Sequence, residues 1–154
     1  MQRSGGRFPG GIVIHHSLTD DGTTLDNTYA IDKYHTEVNG WDDIGYHFLI
    51  ERVDDIVQIM TGRPLQYKGA HCPPNDSIGI CLIGNYDNYV PDREILCWLN
   101  RLVVGLMFTY DMTPQDISYH SDHSHKSCPG SKFPKVDFLH SVQRIYQSCL
   151  SQVA

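Results

Sequence analysis

Three histidines and a cysteine fall within nine residues in the segment His120-Ser121-Asp122-His123-Ser124-His125-Lys126-Ser127-Cys128, which runs on into Pro129-Gly130. Neutral imidazole nitrogen and thiolate sulfur are donors that zinc accepts, at ~2.0–2.1 Å and ~2.3 Å. His120 and Cys128 can return to one metal across a loop. A catalytic zinc needs a third protein ligand and leaves its fourth position open to water. The distant candidates for that ligand are His15 and His16, at the end of the β-branched run Ile12-Val13-Ile14. Spacing leaves His123 and His125 in contention within the loop. Strand alternation does not choose between His15 and His16, because both faces of that strand carry apolar neighbours. The same residues also allow a second chemistry, with Cys128 as a nucleophile beside a histidine.

Either chemistry needs elements that bring distant strand ends together. Ile12 to His15 reads as a short buried strand. A polar loop covers Asp20 to Asn27, and Thr28 can cap a helix whose apolar side uses Ile31, Tyr34 and Val38, with Gly40 as its stop. Strands are predicted at Tyr46–Ile50 and Ile56–Met60, joined by a turn at Asp54-Asp55. Ser77–Ile83 is hydrophobic on both faces and so belongs in the middle of a sheet. Helical spacing marks Pro91–Tyr110, with Pro91 in its first turn, and Val136–Cys149. Ile117–His120 is a further short strand between the helices. The result is a single α/β domain, a mixed central sheet flanked by helices. Its functional groups belong at strand ends and in the loops that follow.

Composition narrows the possible functions. The chain has 154 residues, 40% of them hydrophobic, which excludes a disordered chain. Twelve basic against 18 acidic residues give a net charge of −6, a poor match to sequence-independent nucleic-acid binding. No run approaches the ~20 apolar residues of a membrane span, so no membrane insertion is expected. The five cysteines match no disulfide scaffold. Cys81, Cys97 and Cys149 lie in apolar runs and read as small buried hydrophobes, whereas Cys72 and Cys128 each precede proline in a loop. Residues 1–10 form a Gly-rich lead-in, with the folded domain over 11–154. Met1 to Gly11 has no apolar core of a signal peptide, so cytoplasmic synthesis is expected.

Five motifs occur in order: Ile12-Val13-Ile14-His15-His16-Ser17, Gly45-Tyr46-His47-Phe48, Gly69-Ala70-His71, Ser77-Ile78-Gly79 with Gly84-Asn85-Tyr86, and His120 followed by Cys128-Pro129-Gly130. Together they resemble the zinc-dependent N-acetylmuramoyl-L-alanine amidases of the phage T7 lysozyme and peptidoglycan-recognition-protein type. The resemblance spans residues 11–150. It implies the type-2 amidase fold, a mixed sheet flanked by helices, and Zn²⁺ held by His15, His120 and Cys128. It leaves His16 packed and His123 and His125 exposed.

The resemblance also implies catalytic roles for Tyr46 and Lys126. It puts His71 and Asn75 in the substrate groove. Trp41 could stack on sugar or cover the core beside Gly40. The implied reaction is cleavage of the amide between N-acetylmuramic acid and L-alanine of the peptidoglycan stem by a zinc-activated water. The alternative is a non-catalytic module of the same fold that binds muropeptides. Family members that have lost catalysis typically lack the ligand cysteine, so Cys128 argues for an enzyme. The expected setting is a monomer that acts on the cell wall after release by another factor, as an endolysin does.

Overall fold

The computed structural model describes residues 1, 8–19 and 27–153. The loop read at Asp20–Asn27 therefore lies outside the described residues except for Asn27, as do residues 2–7 of the lead-in. Among the described residues, five strands form one sheet: β1 (Ile12–His16), β2 (Phe48–Val53), β3 (Ile56–Thr61), β4 (Ile78–Leu82) and β5 (Ile117–Tyr119). Their order is β3-β2-β4-β1-β5, which places β4 at the centre, as its two-faced hydrophobicity requires. Only the β2–β3 pair is antiparallel, so the sheet is mixed. That pair turns through Asp54 and Asp55, both at positive φ (49° and 63°), the backbone that tight hairpins favour and Asp tolerates.

Register sorts the side chains of the parallel strands onto two faces, because residues alternate along a strand. On one face, Ile12, Ile14 and His16 align with Ile78, Ile80 and Leu82, and these with Phe48 and Ile50. Helices α2 (Arg93–Thr109) and α3 (Lys135–Val153) cover that face. They contribute Ile95, Leu99, Val103, Met107, Phe138 and Val142 to one continuous core. On the other face, His15 aligns with Cys81 and Cys81 with Leu49. A much smaller core forms there, from Ile44, Leu49, Cys81 and Ile83 with Ile31 and Tyr46 against it.

The second face is roofed by α1 (Asn27–Lys33), which runs directly into a wider helical turn over Tyr34–Val38. Thr28 lies inside α1, not at its cap. Its backbone N–H and hydroxyl both donate to the buried Glu51 carboxylate of β2, at 2.8 and 3.0 Å. A carboxylate at a helix N-terminus is favoured by the exposed N–H groups and the helix dipole.

Other boundaries shift for local reasons. Asp92 accepts the Ile95 N–H at 2.9 Å and caps α2, so Pro91 precedes the helix and does not occupy its first turn. Cys97 is exposed, not buried as its apolar surroundings suggest. Ile95 and Leu99 turn inward, which points the residue midway between them to solvent. Cys149 is half-buried and Cys81 fully buried. Tyr46 and His47 precede β2, which starts only at Phe48, and β5 ends at Tyr119, one residue before His120.

Candidate metal centre

Sheet register accounts for the meeting of the two histidines. Ile14 pairs with Tyr119 across the parallel β1–β5 ladder, so the next residues, His15 still in β1 and His120 just beyond β5, lie side by side. Their ring centroids are 4.7 Å apart. His120 opens a single 3₁₀ turn, His120–Asp122, and Ser121 N–H donates to the Cys128 carbonyl at 2.7 Å. That bond folds the loop back and returns Cys128 to the strand end it left eight residues earlier.

The returning segment is clasped on its far side. Asp87 accepts the Ser127 hydroxyl at 2.8 Å and the Ser131 N–H at 2.7 Å. Gly130 lies against Tyr86 so closely that a Cβ would sit 2.4 Å from the Tyr86 backbone. Only glycine fits there.

One ligand atom from each of His15, His120 and Cys128 lies within 4.8 Å of the others. Cys128 Sγ is 3.7 Å from His15 Nδ1 and accepts the His16 N–H at 3.4 Å. An N–H aimed at the sulfur favours its thiolate, the form a metal requires. Burial first, then the neighbouring His71 and His120, holds the His15 pKa well below its ordinary value. Burial and the Lys126 charge lower that of His120. Both imidazoles are thus neutral near pH 7 and have a lone pair to give. Burial pushes the Cys128 thiol up to about 11, against the His16 N–H and Lys126, which pull it down. Two neutral imidazoles and one thiol converging on a point form a donor set that suits zinc. The residues present fit the ion.

Tyr46 borders this centre, its ring 5.2 Å from that of His15. Burial, with Cys81 and Cys128 nearby, raises its pKa well above 10, so it is a hydroxyl donor at any working pH. Beside it a groove of about 390 Å³ opens under α1, lined by Ser17, Asn27, Ile31, Tyr34 and His35.

The sequence profile described as N-acetylmuramoyl-L-alanine amidase matches residues 5–131. The chain belongs to this amidase family. The endolysin of Enterobacteria phage T3 is 32% identical over 127 residues, 77% of this chain and 78% of the phage protein. Peptidoglycan-recognition protein 1 of Holotrichia diomphalia is 33% identical over 99 residues, 60% of this chain and 49% of that protein. The chain thus spans about half the length of the beetle relative and over three quarters of the phage one. Among solved structures, N-acetylmuramoyl-L-alanine amidase LysC from Clostridium intestinale superposes with a TM-score of 0.73 at 33% identity, covering 86% of this chain and 84% of that one.

Within this amidase-family site, the residues expected from sequence divide into two groups. His15, His120 and Cys128 converge, with the Tyr46 ring beside that of His15. His16 is buried on the opposite face, where its Nδ1 accepts the Tyr86 N–H at 3.2 Å. His123, His125 and Lys126 are exposed on the loop. Trp41 lays its ring on that of His35, centroids 4.6 Å apart, and so backs the groove wall. Asn75 turns its Oδ1 to the backbone N–H groups of His71 and Cys72, at 2.9 and 2.8 Å. His71 is half-buried, and both its ring nitrogens have partners within the protein.

Three further residues carried no signal of their own in the sequence. Cys81, in register with His15, is fully buried and near enough to Tyr46 to raise its pKa. His35 accepts the Gly45 N–H at 3.1 Å and faces the groove. Asp87 clasps the Cys128 turn. Only the three-dimensional pairing reveals them.

Proposed function

We propose that this chain is a zinc-dependent peptidoglycan hydrolase that cleaves the amide joining N-acetylmuramic acid to L-alanine of the stem peptide. The observation that carries the reading is the convergence of His15, His120 and Cys128 beside Tyr46 at the end of an open groove. Zinc in such a donor set polarises a carbonyl oxygen and acidifies water, which an unactivated amide needs at neutral pH.

The chain's own groups supply the rest. Tyr46 keeps its proton and offers it as a hydrogen bond to the reacting carbonyl or the departing amine. Lys126 lies close enough to His120 and Cys128 for its charge to act on both, and so sets a positive charge beside the place where an oxyanion develops. The groove under α1, with its mixed wall of Ile31, Tyr34, Ser17 and His35, suits a substrate that is part sugar and part peptide. The reading as a muropeptide-binding module without catalysis is disfavoured by the complete ligand set, Cys128 above all. Among the described residues no helix is long and apolar enough to cross a membrane. We place the action at the cell wall, with delivery by another factor.

Mass spectrometry of purified peptidoglycan treated with zinc-loaded protein tests this. The expected products are stem peptides with a free L-alanine amino group and glycan strands with free lactyl carboxylates. Chelator should stop their release and added Zn²⁺ restore it. Intact muropeptides after treatment would support the binding module instead.

A further inference from the structure

His71 stands directly behind the metal ligand His15. Its Nδ1 lies 3.0 Å from His15 Nε2, and its own Nε2 lies 3.0 Å from the Ser77 carbonyl oxygen. A carbonyl oxygen can only accept, so His71 Nε2 carries a proton and donates it. In a neutral ring that leaves Nδ1 with the lone pair, which can only accept from His15. His15 must then be protonated on Nε2, and its lone pair falls on Nδ1. That atom is the one facing Cys128 Sγ, at 3.7 Å.

The ring has a purpose-built slot. A Cβ on Gly79 would lie 2.5 Å from His71 Cδ2, and one on Gly69 would lie 2.3 Å from the same atom. Any other residue at either position would push the imidazole out. His47 closes the slot edge-on, centroids 5.7 Å apart, and is itself fixed by the Gly79 N–H on Nδ1 and the Tyr67 carbonyl on Nε2, each at 3.0 Å. Asn75 Oδ1 pins the His71 backbone.

We propose that His71 is a positioning residue: it relays the Ser77 carbonyl through its ring to lock His15 in the Nε2–H tautomer, with Nδ1 presented to the metal. The proposal rests on the zinc reading above for its purpose but not for its geometry. Hydrogen bonds behind a ligating imidazole fix its tautomer and orientation and raise its basicity, and their loss weakens metal affinity about 10–100-fold.

Two measurements test it. Long-range ¹H–¹⁵N correlation spectra of the metal-free wild-type protein near neutral pH should show His15 as a single tautomer, protonated on Nε2. A His15 protonated on Nδ1 would overturn the proposal, and this needs no variant that has to fold. Competition against a chromophoric zinc chelator should then show His71→Phe binding zinc about 10–100-fold more weakly than wild type. His71→Asn, whose amide oxygen can replace the Nδ1 acceptor, should recover most of that loss. Gly79→Ala keeps the imidazole but blocks its slot, and should shift affinity in the same direction as His71→Phe. Equal zinc affinity in wild type and a folded His71→Phe would contradict the relay. A wild-type protein that took up no zinc would instead defeat the proposed function, while the tautomer would still report on His71.

Discussion

The two faces of the sheet are built to opposite ends. The face under α2 and α3 is a close-packed layer of Ile12, Ile14, Ile50, Ile78, Ile80 and Leu82 against helix side chains, and it buries nearly everything it touches. The face under α1 interrupts the same strands with His15, Gly79 and Cys81, and its apolar core is a handful of residues. Apolar burial stabilises at roughly 25 cal/mol per Å², so the first face supplies most of the folding free energy. The second accepts poorer packing in exchange for imidazoles, a thiol and a groove. Adjacent residues of one strand, His15 and His16, fall on opposite sides of this division. One faces the candidate metal centre and the other lies on the side of the packed core.

The largest test of that division is Cys128→Ala. Zinc uptake should fall away, and activity with it by at least about 10³-fold, since metal assistance is worth several kcal/mol. The urea midpoint of the metal-free protein should move far less. Leu99→Ala, on the packed face, should do the reverse. It should cost about 2–5 kcal/mol of stability by denaturant titration and leave the zinc affinity of the folded protein unchanged. Comparable losses of zinc affinity in both variants would mean the faces are not separable.

Lys126→Ala should lower kcat by about 10²–10³-fold with zinc content intact, the scale of losing one oxyanion donor. Smaller still is Asp92→Ala at the cap of α2, about 1 kcal/mol at neutral pH. Burial would raise the Asp92 carboxyl, but the Ile95 N–H and the Arg52 guanidinium outweigh it and hold the pKa below its ordinary value. A depressed pKa contributes stability above the unfolded value that is lost as pH falls through the folded one. Wild type and variant should therefore converge in stability on acidification below about pH 4. A gap that stays constant there would remove the carboxylate from the account.

Much of this was legible in the residues. Short β-branched and apolar runs mark the strands, and the two-faced apolarity of Ser77–Ile83 puts β4 at the centre. The crowding of histidines and Cys128 in one loop points to a candidate metal centre, and the model brings His15, His120 and Cys128 together there. What stayed hidden depends on register. Alternation alone could not sort His15 from His16, because Val13 and Ile14 are equally buried. It is Gly79 and Cys81 beside them, against Ile78, Ile80 and Leu82, that distinguish the faces. The direction of the His71 ring is not legible from its loop position; the two glycines that hold the ring are ten residues apart in sequence. Thr28 read as a helix cap because Ser and Thr commonly are, but Glu51, 23 residues away, takes that role from β2.

The central claim is that one zinc is held by His15, His120 and Cys128. X-ray absorption at the zinc edge of the stoichiometrically loaded protein tests it most directly. The account predicts one sulfur at ~2.3 Å and two imidazole nitrogens at ~2.0–2.1 Å, with the sulfur shell gone in Cys128→Ala. A zinc without sulfur in its coordination shell, or a shell untouched by that substitution, would contradict it.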